Sequence, residues 1–177
     1  MKLIIALSAL LGLGALGCAH APTEPGARAD LRSDAHKTLH EMQKRDPTLR
    51  PVIDSSVAYI VFPKVGQGGF LVGGGSGNGV LFEPGGGTQF AELRQLDAGA
   101  LVGGQSYAEV VVVKDRKALE DLRTGRYDFS AKASAMIVRT GTAAQATFEN
   151  GVAVFVMPIH GAMVNASIGG QRIRLTL

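Results

Sequence analysis

Serine, histidine and aspartate, the residue types of a hydrolytic triad, occur in this sequence without the local motif that activates them. The candidates are Ser76 or Ser106 as nucleophile, His160 as base, and Asp97 or Asp115 as acid. A nucleophile elbow reads Gly-x-Ser-x-Gly and leads from a strand into a helix. Around Ser76 the last glycine is replaced by Asn78, and strand-like residues follow. Because the carboxylates are also scattered, we expect no enzyme, with a serine hydrolase as an alternative.

Two histidines, His36 and His40, are four residues apart, so on a helix they would share one face. Zinc sites in proteins use three or four protein ligands. No cysteine or third histidine lies near this pair in the sequence, and His160 precedes a glycine in a predicted turn. The sequence therefore predicts neither a metal site nor a cofactor.

The stretch "GGFLVGGGSGNGVLFEPGGG" combines many glycines with strongly apolar residues. A phosphate loop of the Walker type needs Lys and Ser/Thr after its last glycine, and a dinucleotide loop must open a helix. Val80 follows Gly79, and the next segment has the pattern of a strand. We therefore expect a tight turn at residues 73–79 between two strands of a glycine-rich sheet. So many glycines predict strong coiling, up to a partly closed barrel, with uncovered amides that could receive an anionic headgroup.

Length, composition and charge fit one globular domain. The chain has 177 residues, is 46% hydrophobic and carries a formal net charge of only +3. The sequence contains no block of Lys and Arg and no basic stretch interleaved with aromatic residues. Nucleic acid is therefore not an expected partner.

The N-terminal residues have the pattern of a bacterial lipoprotein signal. Lys2 is followed by a short apolar run, 3–16, and then by small residues up to Cys18, the single cysteine of the chain. The segment resembles a lipobox, which implies that 1–17 are a signal peptide and that Cys18 becomes the acylated first residue. Ala19, rather than aspartate, follows it. By resemblance to Gram-negative lipoproteins, this favours the outer membrane, facing the periplasm.

The remaining chain predicts an α+β fold. Residues 18–29 are small and polar and form a predicted flexible tether to a domain at 30–177. We expect one helix over 30–45, a second that starts with Asp46 as N-cap and Pro47 as first helical residue, and then a mostly antiparallel sheet. A third helix interrupts the sheet, with Asp115 as its N-cap and Gly125 at its C-terminal end. Asn150-Gly151 predicts a hairpin turn.

Three segments together resemble the SYLF domain family, and the resemblance covers roughly residues 35–177. They are "AYIVFPKVGQGGFLVGGGSGNGVLF", "DAGALVGGQSYAEVVVVKDRKALEDL" and "GVAVFVMPIHGAMVNASIGGQRI". Asn78 and Asn165 depart from the family pattern, and Asn78 lies in the hairpin to which a binding role would be transferred. The resemblance implies a phospholipid-binding domain without enzymatic activity.

Basic side chains near the surface are the candidates for contact with lipid phosphates. Lys64, in the family-like "FPKV" run, is the first candidate, and Lys37, Lys44 and Arg45 could join it from the first helix. Arg172 and Arg174 alternate along the last strand and so share one face, where they could bind a phosphate or only keep an edge strand soluble.

The sequence therefore predicts a non-catalytic, lipid-anchored envelope protein whose partner is a phospholipid membrane. The alternative is a structural or assembly lipoprotein whose sheet contacts another envelope protein.

Overall fold

The computed structural model describes residues 21–70, 72–98, 103–125, 128–129, 135–160 and 170–176. The predicted signal peptide and Cys18 lie outside these residues. The elements in chain order are α1 (Pro25–Arg45), α2 (Leu49–Asp54), β1 (Ala58–Phe70), β2 (Val72–Phe82), β3 (Thr88–Ala98), β4 (Gly103–Val113), α3 (Arg116–Arg123), β5 (Asp128–Phe129), β6 (Met136–Ile137), β7 (Val152–His160) and β8 (Gly170–Thr176). The predicted α+β class, with two N-terminal helices and one inserted helix, is confirmed.

The strands form one mixed sheet in the order β5-β8-β3-β2-β1-β4-β7-β6. Neighbouring strands are antiparallel, except that β6 runs parallel to β7. In the described part of the chain the sheet is open, with the two-residue strands β5 and β6 at its edges. A partly closed barrel, which the glycine content suggested, is therefore not formed, because the two edge strands pair with β8 and β7 and not with each other.

The sheet separates two apolar layers. The side of the sheet covered by α1 and α2 is called the α1 face, and the helical residues buried there are Ala35, Leu39, Met42, Leu49 and Ile53. The opposite side, the α3 face, is covered by Ala118, Leu119 and Leu122 of α3. Because side chains alternate along a strand, Val80 packs in the first layer and its neighbour Leu81 in the second.

Two helix boundaries differ from the prediction. α1 begins at Pro25, a favourable first helical residue, so residues 25–29 of the predicted tether are helical. α2 begins at Leu49 with Thr48 as its N-cap, so the prediction of Asp46 as N-cap is wrong. The Asp46 carboxylate is buried instead. It accepts hydrogen bonds from the nearby Thr48 N and Oγ1, and from the backbone N–H groups of Gly141 and Ala143 far along the chain.

The predicted turn at 73–79 is also wrong, because β2 runs through all of these residues. The chain reverses before Gly73, since Phe70 at the end of β1 pairs with Val72 at the start of β2. Glycine is required inside β2 for a steric reason. A Cβ on Gly79 would lie 2.5 Å from Cδ1 of Phe62, and one on Gly77 would lie 2.8 Å from the carbonyl oxygen of Lys64. These contacts arise where the register of β1 shifts between Val61 and Lys64.

Candidate functional site

A cluster of exposed arginines lies on the α1 face, on strands β3 and β8 near one edge of the sheet. Strand alternation places Phe90, Glu92 and Arg94 on this face, and Phe90 is packed in the same layer as α1. Arg174 is directly opposite Glu92, and Arg172 is directly opposite Arg94. Arg94, Arg172 and Arg174 are named here the arginine cluster.

The geometry of the arginine cluster concentrates positive charge. Directly opposite residues in an antiparallel pair have Cβ atoms about 5 Å apart, and diagonal neighbours about 7–8 Å. Arg94 and Arg172 form such a direct pair, and Arg174 is the diagonal neighbour of Arg94. All three are exposed. Guanidinium groups this close together can contact one anion jointly.

Lys64, the first candidate from the sequence, lies on the same face as the arginine cluster. It pairs with Asn78, which pairs with Glu92, which pairs with Arg174, so these four residues form one row across β1, β2, β3 and β8. Lys64 is exposed. At about 4.8 Å per strand, its backbone is roughly 10 Å from that of Glu92. Phe62 and Val65 both face α3, although they are three residues apart. The register shift in β1 allows this, and it leaves Lys64 directed to the α1 face.

The N-terminal end of the described chain is bound to this same row. The backbone N–H of Ala21 donates a 2.8 Å hydrogen bond to Oε1 of Glu92, and both residues are buried. Arg28, in the first turns of α1, donates to the carbonyl oxygen of Pro22 and lies over the ring of Phe90. Together these contacts hold Ala21 beside Arg174, on the row that also contains Lys64.

The other predicted lysines form ion pairs within α1. Lys37 pairs with Asp34 at 3.2 Å and Lys44 pairs with Glu41 at 2.9 Å, both as exposed pairs along α1. The hydrogen bond and charge of Lys44 lower the pKa of Glu41. Solvent screens such exposed pairs within one helix, so they contribute little to stability.

Arg45 is also separated from Lys64. It is the last residue of α1, and its carbonyl oxygen accepts a hydrogen bond from Thr140, in the segment after β6. Strand β6 is three positions from β1 in the sheet, or about 14 Å. Strand β8, which carries Arg174, is also three positions from β1, so Lys64 shares a face and a row with Arg174 but is no nearer to it across the sheet than to β6.

The components of the hypothetical hydrolase are only partly adjacent. Ser106 Oγ and His160 Nδ1 are 3.5 Å apart, at the limit of a hydrogen bond. Asp115 Oδ1 accepts from the backbone N–H of Ala118 and caps α3, on the opposite face of the sheet. The side chain of Asp97 lies outside the described set. Within that set, Ser106 and His160 are thus not joined by Asp115 into a triad.

Neither predicted helix histidine forms part of a metal site in the described residues, where no group of three His, Cys, Asp or Glu side chains is placed to hold an ion. The ring of His36 instead packs at 4.9 Å from that of Phe82.

A buried polar cluster on the α3 face was not predicted from the sequence. Gln171 Nε2 donates to Glu109 Oε2 at 2.9 Å, and Tyr107 Oη donates to Gln95 Oε1 at 2.6 Å. Burial raises the pKa of Glu109 to about 8, against a smaller lowering by the hydrogen bond from Gln171. The sequence did carry a sign of this cluster, because Glu109 stands at the start of a run of four valines that are buried in β4.

Comparison with models of known protein families and with curated proteins gave no match for this chain. Of the helices in the described residues, none is both long enough and apolar enough to cross a bilayer.

Proposed function

We propose that this protein is a lipid-anchored, non-enzymatic phospholipid-binding protein of the bacterial envelope, with a domain similar to the SYLF family. The observation that carries the proposal is the position of the arginine cluster beside the entry point of the chain. Three peptide units separate Ala21 from Cys18, a reach of at most about 11 Å. An acyl anchor on Cys18 would therefore hold Arg174 and Lys64 close to the membrane surface.

The chemistry of the cluster suits lipid phosphates. Guanidinium groups bind phosphate in a bidentate geometry, and each basic side chain near an anionic leaflet contributes about 1 kcal/mol. An acyl anchor and a basic patch are the two signals that together give stable membrane attachment.

The curvature of the sheet also supports an orientation in which the arginine cluster faces the membrane. Gln171 in β8 reaches Glu109 in β4, although β3, β2 and β1 lie between these strands. In a flat sheet the two strands would be about 19 Å apart. We infer that the glycine-rich sheet is strongly coiled, with the α3 face concave. The arginine cluster then projects from the convex side, away from α3.

Lipid binding is tested with the domain from residue 18 onward, carrying Cys18→Ser so that no acyl chain contributes. The measurement is flotation with vesicles of phosphatidylethanolamine and phosphatidylglycerol, compared with vesicles of phosphatidylcholine alone. We expect binding to the anionic vesicles that falls with salt, and a loss of at least about tenfold in affinity for Arg94→Glu.

Lys117→Glu is the matched control, since Lys117 is an exposed basic residue of α3 on the opposite face. It should bind as the parent does. If no vesicle retains the parent protein, lipid binding fails and the alternative, contact with another envelope protein, takes its place. If Arg94→Glu and Lys117→Glu bind equally, the arginine cluster is not the site.

A further inference from the structure

Leu96 is an exposed leucine near the C-terminal end of β3. Its exposed fraction is 73%, and with Ile159 it is one of two large hydrophobic side chains that the described residues leave exposed. Alternation along β3 puts Leu96 on the α1 face, as the next residue after Arg94 on that face. The side chain therefore stands beside the arginine cluster, outside the area that α1 covers.

Among the described residues, glycines flank Leu96 in the neighbouring strands. Its two direct partners are Gly74 in β2 and Gly170 in β8, and Gly68 continues the same row into β1. A Cβ added to Gly68 or Gly170 would meet no atom within 4 Å. Unlike Gly79, these glycines are not required by packing, although each costs a strand roughly 0.5–1 kcal/mol relative to alanine. Leu96 thus projects from an open surface.

The charge around Leu96 identifies its partner. Arg94 precedes it on the same face, Arg172 is diagonal to it, and the row that contains Lys64 and Arg174 follows. An apolar side chain with cations on one side of it matches the boundary of an anionic bilayer, where phosphates lie above the acyl chains. Ala21, the first described residue, is bound beside Arg174 on the same face.

We propose that Leu96 inserts into the bilayer below the phosphates that the arginine cluster contacts, so that the domain binds the membrane by this end of its α1 face. The inference rests on the proposed lipid binding and adds to it a depth and an orientation. α3, on the opposite face, then points away from the membrane.

Insertion is measured with a fluorophore that reports polarity. In the Cys18→Ser background the chain contains no other cysteine, so Leu96→Cys and Lys117→Cys each give a single labelling site. With anionic vesicles, the label at position 96 should shift to the blue and become protected from an aqueous quencher, whereas the label at position 117 should not change. Equal responses at the two positions would overturn the proposal.

The contact of this surface with the membrane is tested by placing either a negative or a positive charge at Gly68. Gly68→Glu and Gly68→Lys have the same space available, so they should fold alike and differ only in the sign of the added charge. We expect Gly68→Glu to bind anionic vesicles about tenfold more weakly than Gly68→Lys. Leu96→Ser should also weaken binding, by about fivefold or more, without loss of folded structure.

The outcomes separate the two proposals. If the parent protein does not bind vesicles, the proposed function fails. If the parent binds and Arg94→Glu does not, but Leu96→Ser and both Gly68 variants bind as the parent does, then only the insertion of Leu96 is wrong.

Discussion

Glu109 should make the stability of the domain fall as the pH rises through neutrality. The carboxyl group is fully buried, and its pKa is raised from the ordinary value of 4.5 to about 8, mainly by burial. A group whose pKa is higher in the folded state contributes its full stability below the unfolded-state pKa and loses it as the pH passes the folded-state pKa. At about 1.4 kcal/mol per pKa unit, this shift corresponds to roughly 5 kcal/mol.

The measurement compares urea unfolding of the Cys18→Ser domain and its Glu109→Gln variant from pH 5 to pH 9. Glutamine keeps an oxygen that accepts from Gln171 Nε2 and cannot ionise. The free energy of unfolding of the parent should fall relative to Glu109→Gln by about 1.4 kcal/mol per pH unit up to the folded-state pKa, and the difference should then level off. Because a domain of this kind has only about 5–15 kcal/mol of stability, the effect is large.

Glu120→Gln, which removes an exposed carboxylate of α3, is the control and should follow the parent at every pH. If the parent and Glu109→Gln lose stability in parallel, the carboxylate is already ionised and solvated in the folded protein. The assignment of Glu109 as a neutral core group would then be wrong.

Two further predictions concern other parts of the fold. Gly79→Ala should destabilise the domain by about 1–3 kcal/mol in thermal unfolding, because its Cβ would overlap Phe62. Gly66→Ala, whose Cβ would meet no atom, should be neutral or slightly stabilising, and equal effects of the two substitutions would refute the steric account. Asp46→Asn should cost about 2–3 kcal/mol in urea unfolding at pH 7, since its amide would face the N–H of Ala143. The cost should shrink in acid, because hydrogen bonds from Thr48 and from backbone amides outweigh burial and lower the pKa of Asp46; a cost that does not change with pH would contradict this.

The features predicted correctly from the sequence depend on neighbouring residues. Asp115 caps α3 through the N–H three residues later, and Gly125 ends that helix with a φ of +67°. Asn150 and Gly151 both have positive φ, as a two-residue hairpin turn requires. Each of these is decided by residue type within one turn of chain, so the sequence alone is sufficient.

The features that were missed depend on residues far apart in the chain. Asp46 was expected to cap the next helix, but its carboxylate binds the N–H of Ala143, 97 residues later. The arginine cluster exists only because β8 pairs with β3 in a register that sets Arg172 opposite Arg94. From the sequence, Arg172 and Arg174 could be placed on one face, but their partner strand and the nearby Lys64 could not. The position of Glu109 beside Gln171 depends on the same pairing.

The pairing of β8 with β3 also determines when folding can finish. Thr176 donates to the carbonyl oxygen of Phe90, 86 residues earlier, and contacts that close such long loops form late because of their entropic cost. Until β8 arrives, β3 is an unprotected sheet edge, and the Glu109 carboxyl lacks the amide that binds it in the core. A chain in which β8 has not yet paired therefore has an open strand edge to which other chains can bind, and the pairing of β8 protects the domain from aggregation.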